Sequence, residues 1–195
     1  MKCFTLVLLA TGYLLAEPVA AGYRGGSNFP MGGVSPPICS FAAAPRALNA
    51  DNMSLSGAGQ NSASISVNQL TDSATALLIK ASIQLEIIGV CNESHYLSLK
   101  TSKGGLTLED QTGVVGGNFL DHVNYRAQAD WAGQSVSLNT DAIAEKKTTS
   151  GVIEKTHRGA LNISLLIDEN TNDMNKPLLA GQYTDFLTVQ IGLPF

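Results

Sequence analysis

Apolar and polar residues alternate along several short stretches of this chain, which is the two-residue side-chain period of a β-strand with one buried face. The segment 178–195 (LLAGQYTDFLTVQIGLPF) shows the pattern well. Its alternation places one set of side chains on a single face: Tyr183, Asp185, Leu187, Val189 and Ile191. Edge strands usually carry a charge, a proline or a bulge that blocks pairing with other chains. Here Asp185 is the only charge and Pro194 comes at the end, so we expect another strand to occupy this edge.

The same alternation predicts further strands, separated by turn-rich clusters such as TSKGG, TGVVGGN and DENTND. These strands are NSASISVNQL (61–70), ASIQLEIIGVC (81–91), HYLSLKT (95–101), FLDHVNYRAQADW (119–131), QSVSLNT (134–140) and ALNISLLID (160–168). Short strands at regular spacing are typical of an all-β sandwich, here of about seven strands. One short helix is predicted over 141–147, with Asp141 as its cap.

The first 21 residues have the layout of a secretory signal peptide: Lys2, an apolar run over 3–16, and small residues before a cleavage point after Ala21. The alternative is a transmembrane anchor, but a run of about 14 apolar residues is short of the ~20 that a bilayer requires. We therefore expect an exported chain with no integral membrane span after cleavage. Residues 22–38, with five glycines and three prolines, predict a flexible arm.

Composition narrows the choice of partners. Charged residues make up 14% of the chain and the net charge is −4, with no run of basic residues. These values argue against nucleic acid or an anionic membrane as a partner.

Cleavage after Ala21 would remove Cys3 and leave Cys39 and Cys91. Two cysteines in an exported chain most simply form one disulfide, and the alternatives are free thiols or a bond between chains. On chain entropy, closing that loop stabilises the fold by roughly 3 to 4 kcal/mol. There is no CxxC motif, and the three histidines (His95, His122 and His157) are isolated from one another in sequence, so we expect no metal site and no cofactor.

No catalytic motif stands out in the sequence, and we expect that the protein is not an enzyme. No serine lies in a G-x-S-x-G context. Asp121 and His122 are neighbours on one predicted strand and should face opposite sides, which leaves His122 as a surface histidine. Glu109 and Asp110 fit a solvated turn, and the single tryptophan, Trp131, fits the core better than a sugar-binding face.

The terminal segment resembles the closing strand of the spore coat protein U domain family, which ends in an A/P-G-x-Y-x-D-x-L/V-x-V-x-I pattern. Six positions match that pattern: Gly181, Tyr183, Asp185, Leu187, Val189 and Ile191. Two internal segments, IQLEIIGVCNESHYLSL and HVNYRAQADWAG, are similar to the central strands of the family in spacing. Cys39 matches the cysteine that opens the domain, so the resemblance covers roughly 39–195.

This resemblance implies a pilin-like, immunoglobulin-like sandwich over 39–195 that lacks its last strand. It implies assembly by donor-strand complementation with a periplasmic chaperone, an outer-membrane usher and other pilus subunits. The product would be a structural subunit of a pilus or surface coat, located in the periplasm in transit and then at the cell surface or secreted.

The arm at 22–38 departs from a donor strand because Pro30, Pro36 and Pro37 cannot donate to a ladder. The sequence therefore does not decide whether the chain polymerises. The alternative is a self-contained, secreted, adhesin-like module that recognises glycan or protein through its surface.

Overall fold

The structure is a computed structural model that describes residues 32–109, 118–141 and 148–192. Residues Pro36–Phe195 group into one unit and Met1–Ser35 into another, of which only 32–35 are described, without regular structure. The described residues form strands and no helix. The strands are β1 (Cys39–Phe41), β2 (Arg46–Asp51), β3 (Met53–Ser56), β4 (Ser64–Val67), β5 (Ala81–Cys91), β6 (His95–Thr101), β7 (Leu106–Leu108), β8 (His122–Val123), β9 (Arg126–Trp131), β10 (Gln134–Asn139), β11 (Thr148–Ile153), β12 (His157–Ile167), β13 (Tyr183–Thr184) and β14 (Leu187–Gly192).

The largest sheet is antiparallel and runs in the order β1–β5–β12–β9–β10. At its centre β5 and β12 pair along eleven positions, from His157 opposite Cys91 to Ile167 opposite Ala81. On the other edge of β5, β1 pairs with its end and β2 with its first half. These long strands form because apolar residues occupy every second position, so one face can be buried along the whole length.

Three smaller antiparallel sheets complete the fold. They are β11–β6–β14, β13–β7–β8 and the hairpin β3–β4. The sheet that contains β6 faces the largest sheet, and their inward side chains form a single core. Its most buried members include Leu97 and Leu99 of β6, Ala129 of β9 and Leu161 of β12. The predicted all-β sandwich is thus confirmed.

Trp131 is 1% exposed and belongs to this core, as predicted. It fits because Gly89 lies opposite: a Cβ atom on Gly89 would be 2.8 Å from Trp131 Cη2 and 3.2 Å from Ile191 Cδ1. The absence of a side chain at this one position of β5 therefore makes room for the indole and lets β14 approach.

The predicted disulfide is confirmed. Cys39 and Cys91 are directly opposite each other on β1 and β5, and their sulfur atoms are bonded. The bond closes a loop of 52 residues and joins the start of the unit to its central sheet.

The strand pattern differs from the prediction in its detail. The single strand predicted over 119–131 is broken at Asn124 and Tyr125, whose backbone groups bond to Asn172 and Thr140 instead of to a strand. The terminal segment is likewise broken between β13 and β14 at Asp185 and Phe186. The predicted signal peptide, most of the arm and all of the helix predicted over 141–147 except Asp141 lie outside the described residues.

Candidate functional site

The strand β14 is hydrogen-bonded on one side only within the described part of the chain. Its partner is β6, along six positions from Leu187 opposite Thr101 to Gly192 opposite Tyr96. No other strand of the described residues pairs with its second edge. This edge is the one that the sequence predicted would need an occupant.

The phase of the ladder fixes which backbone groups face the open edge. The N–H of Ser102 donates to the carbonyl of Phe186 at 3.0 Å, so Phe186 points its carbonyl towards β6. Bonding direction alternates along an antiparallel strand. Leu187, Val189 and Ile191 therefore turn their N–H and C=O groups away from β6, towards the open edge.

An apolar groove runs along this edge, and we call it the β14 groove. One wall is Leu187 and Val189 of β14. The other is Ile65 of β4 and Ala63, which immediately precedes that strand. Its floor consists of core side chains from the central sheet: Leu85, Ile87, Ile163, Leu165 and Ile167. Two hollows along it have volumes of about 190 and 310 Å³, far above the roughly 10–15 Å³ that one water molecule needs.

The groove has two different ends. At the disulfide end it continues between β1 and β14, where Cys39, Phe41 and Ile191 line a third hollow. At the opposite end Tyr125 and Asp185 close it, beside the exposed ring of Phe186. The groove thus follows the length of β14 from one end of the strand to the other.

Asp185 fixes the point where β14 begins. Its carboxylate accepts hydrogen bonds from the Tyr125 hydroxyl at 2.8 Å and from the Ser102 hydroxyl at 2.7 Å. It also accepts bonds from the backbone N–H of Lys103 at 2.9 Å and of Gly105 at 3.2 Å, and from the hydroxyl of Thr101. One carboxylate therefore joins the turn after β6, the start of β9 and the terminal strand.

These contacts set the charge of the site. Burial alone would raise the pKa of Asp185, but the hydrogen bonds that it accepts outweigh burial, and its pKa lies below the ordinary value of 3.8. Burial, with a smaller contribution from the nearby Asp185 carboxylate, raises the pKa of Tyr125 well above its ordinary value of 10.0. Asp185 is therefore an anion and Tyr125 a neutral donor across the physiological range.

Other residues of the terminal motif have packing or hydrogen-bonding roles in the fold. Gly181 has a φ of +152°, and a Cβ atom there would lie 2.3 Å from Leu108 Cδ1, so the backbone conformation and the space both favour glycine. Tyr183 pairs with Leu108, and its hydroxyl donates to the carbonyl of Leu179 at 2.9 Å. Ile191 is 8% exposed and belongs to the core.

The remaining candidate residues lie apart from the groove. The sequence predicted a surface histidine at position 122, but the His122 side chain is half-buried. Its Nε2 lies 3.1 Å from the carbonyl oxygen of Gly104 and 3.0 Å from Asn124 Oδ1. Glu109 accepts a bond from the Thr184 hydroxyl at 2.6 Å, while Asp110 lies outside the described residues.

Sequence reasoning missed one cluster of metal-ligating side chains. His95 was expected to stand alone, yet its imidazole lies beside the two cysteines. The Sγ atoms of Cys39 and Cys91 and a ring nitrogen of His95 all lie within 4.8 Å of one another. The signal was present in the sequence as the spacing Cys91-x-x-x-His95, which a tight turn between β5 and β6 brings together.

Comparison with known proteins gives no family for this chain. No protein-family model matches it, and no curated protein matches it significantly. Among the residues that the structure describes, no helix has the length and apolar character needed to cross a membrane.

Proposed function

We propose that this protein is a structural, non-enzymatic subunit whose fold is completed by a β-strand from another polypeptide. The incoming strand would pair with the open edge of β14 and place its apolar side chains in the β14 groove. The observation that carries this proposal is an apolar groove that runs alongside β14, a strand that has a pairing partner on only one edge among residues 32–109, 118–141 and 148–192.

The geometry of the open edge supports strand addition over the binding of a small molecule. Leu187, Val189 and Ile191 offer backbone donors and acceptors at every second residue, which is the repeat that an extended chain can match. The same three residues direct their side chains towards the core. A partner strand with alternate apolar residues would therefore satisfy the backbone edge and fill the groove together.

The resemblance of the terminal segment to spore coat protein U domains supports a particular kind of partner. A periplasmic chaperone would hold the groove first, an outer-membrane usher would receive the complex, and another pilus or coat subunit would then supply the permanent strand. The low charge of the chain, 14% of residues, suits the close side-by-side contacts of such an assembly.

The arm at 22–38 supports a terminal or minor position in that assembly. Pro30, Pro36 and Pro37 would each interrupt a ladder in which every second N–H must donate. A subunit that accepts a strand but gives none would end a growing chain.

Amide hydrogen exchange tests the proposal at single-residue resolution. In the isolated protein the amides of Leu187, Val189 and Ile191 should exchange fast, while that of Thr188, which faces β6, should be protected. Adding a chaperone, or a ten-residue peptide with alternate apolar residues, should protect the three outward amides and raise the melting temperature. A peptide of the same composition with its apolar residues adjacent is the matched control.

Two results would contradict the proposal. One is strong protection of all four amides in a monomer without ligand, since the chain would then fill its own edge. The other is protection of Leu187 and Val189 by the scrambled peptide as well as by the alternating one, since binding would then not require strand register.

A second candidate function, glycan recognition, is favoured by the outer face of the central sheet. A shallow depression there is lined largely by amide and hydroxyl side chains, with one carboxylate and the exposed Leu48. The polar residues are Gln84, Gln128, Asp130, Asn162 and Ser164. Neighbouring strands bring them into register, with Gln128 opposite Ser164 and Ser164 opposite Gln84. Such groups can donate to and accept from sugar hydroxyls.

A glycan array separates the two candidates. Binding of a neutral glycan by the monomer, lost in Gln128→Ala and retained in Val189→Pro, would assign recognition to the outer face. Absence of binding across the array would remove this candidate and leave strand addition untouched.

A further inference from the structure

The disulfide end of the sandwich gathers more metal-binding side chains than a structural cross-link requires. Cys39, Cys91 and His157 lie on adjacent strands in one rung of the central sheet, since Cys91 is directly opposite both of the others. Directly opposite residues share a face of the sheet. His95 comes from β6 in the facing sheet, so side chains from both layers meet at this point.

We propose that the reduced form of this protein binds one zinc-class cation through the thiolates of Cys39 and Cys91 and the imidazole of His95. Zinc binds thiolate sulfur at about 2.3 Å and imidazole nitrogen at about 2.0–2.1 Å, which in a tetrahedral site separates ligand atoms by roughly 3.5–3.8 Å. The three ligand atoms here lie within 4.8 Å of one another. In the oxidised protein the two sulfurs are bonded to each other, so reduction must first let them move apart to this spacing. The His95 imidazole is already near both sulfurs, and water would take the fourth position.

The two sulfurs can either bond to each other or bind the metal, but they cannot do both. A dithiol reductant would give two electrons and two protons to the disulfide, yielding two thiols here and a disulfide in the reductant. Binding of the cation would then release one proton from each thiol to solvent. The oxidised protein has no thiolate to offer and should not bind the ion at this point.

The hydrogen bonds of His95 show what binding must displace. Trp131 Nε1 lies 2.8 Å from His95 Nε2, and because an indole can only donate, Nε2 accepts and Nδ1 carries the proton. Nδ1 then donates to the carbonyl of Glu93 at 2.9 Å. Coordination through Nε2 displaces the Trp131 bond and keeps the Glu93 bond, whereas coordination through Nδ1 moves the proton to Nε2 and breaks both. Trp131 lies against the ring in either case.

Trp131 therefore provides a built-in reporter. It is the only tryptophan of the chain, and it touches a second histidine of the cluster, with the His157 ring centroid 4.6 Å from its own. A cation bound among these rings should change its fluorescence, and a paramagnetic ion should quench it.

The test uses Co²⁺ as a spectroscopic probe of the full chain, reduced and kept without oxygen. We expect one Co²⁺ per chain, a thiolate-to-cobalt charge-transfer band, quenched Trp131 emission and displacement by Zn²⁺. Zinc should raise the melting temperature of the reduced protein and leave that of the oxidised protein unchanged. His95→Gln should weaken binding on the order of tenfold or more, whereas His122→Gln, a histidine outside the cluster, should not.

Three outcomes would overturn the proposal. They are Co²⁺ binding to the reduced chain without a charge-transfer band, equal affinity in the wild type and His95→Gln, and equal affinity in the reduced and oxidised proteins. Because Cys91→Ser removes a buried thiol and can impair folding, the His95 comparison and the zinc-dependent melting temperature decide the question.

Discussion

The strands β12 and β14 have the same alternating sequence pattern but different surroundings. β12 is hydrogen-bonded to β5 along eleven positions and to β9 along five, so both of its edges are used. β14 is bonded to β6 along six positions on one edge, with no strand of the described residues on the other. Alternation therefore records which face of a strand is buried and carries no information about which edges are paired.

The packing of the two strands reflects this difference. Leu161 and Ile163 of β12 are 0% and 4% exposed, whereas Leu187 and Val189 of β14 are only half-buried. Most side chains of the groove floor are already buried, whereas those of its β14 wall are still partly exposed. An incoming strand therefore has apolar area to bury on both walls of the groove, against Leu187 and Val189 on one side and the exposed Ala63 and Ile65 on the other.

Proline substitutions test this comparison most directly, and they should give the largest effect. Ile163→Pro removes a ladder bond from a strand paired on both edges and a buried side chain, and should destabilise the protein by about 4 kcal/mol or more. Val189→Pro removes an N–H that faces the open edge and should change stability by no more than about 1 kcal/mol. Urea unfolding measures both.

Thr188→Pro is the matched control, because its N–H faces β6. It should cost clearly more stability than Val189→Pro although the two residues are neighbours. Val189→Pro should also lose its response to the alternating peptide while remaining folded. Equal losses at 188 and 189 would show that the assigned phase of the ladder is wrong.

The disulfide holds β1 at the end of the groove, and its removal should give the next largest effect. Cys39→Ser should lower the free energy of unfolding by roughly 3 to 4 kcal/mol, from the entropy of a 52-residue loop. Cys39 is the cleaner site because Cys91 is 1% exposed, where serine would also bury a hydroxyl. The melting temperatures of the Cys39→Ser variant and of the reduced wild type should agree. A variant with the melting temperature of the oxidised wild type would contradict the stabilising role of the disulfide.

Gly89 tests how closely β14 approaches the central sheet. Gly89→Ala would place a methyl 2.8 Å from Trp131 Cη2 and 3.2 Å from Ile191 Cδ1, so the indole or β14 must move. We expect a loss of about 1–3 kcal/mol and a change in Trp131 fluorescence. Gly59→Ala is the control, because neither glycine has a positive φ and the new methyl at Gly59 would make only ordinary contacts, at 3.6 Å and 3.7 Å to Ser62.

Asp185 and Tyr125 should give the smallest effect, seen as a dependence of stability on pH. The folded pKa of Asp185 is lowered, so its contribution is complete above the ordinary value of 3.8 and is lost as the pH falls below it. The folded pKa of Tyr125 is raised, so its contribution is complete below pH 10.0 and declines above that value.

Chemical unfolding across pH, compared between variants, separates these two contributions. Asp185→Asn should flatten the acid side of the profile relative to the wild type, and Tyr125→Phe should flatten the alkaline side. An acid side that is unchanged in Asp185→Asn would mean that other carboxyl groups account for it.

Sequence reasoning succeeded where one strand face is continuously buried. β5 was predicted over its observed bounds, 81–91, and β12 over 160–168, so that the prediction missed the first three residues of β12. β2 could not be predicted in this way, because all six of its residues are exposed and none alternates in burial. Its position depends on pairing with β5, which is a tertiary contact.

The candidate site was predicted only in part, for the same reason. The lack of blocking charges on β14 predicted that its edge needs an occupant, and no second strand of the described residues pairs with that edge. The bonds to Asp185 were not predicted, because their donors in the turn after β6 and at Tyr125 lie between 60 and 84 residues away in sequence. Local patterns cannot report side-chain bonds across that separation.

The one-sided pairing of β14 also determines which symmetries an assembly could adopt. Two copies joined through their β14 edges would form a closed two-fold dimer, with no acceptor left for a third chain. A strand contributed from any other part of a subunit makes a heterologous contact, which can repeat indefinitely in a helical array. Electron microscopy of an assembly would therefore distinguish the two cases. Two-fold dimers would indicate pairing of two β14 edges, and helical order would indicate a strand from another part of the subunit.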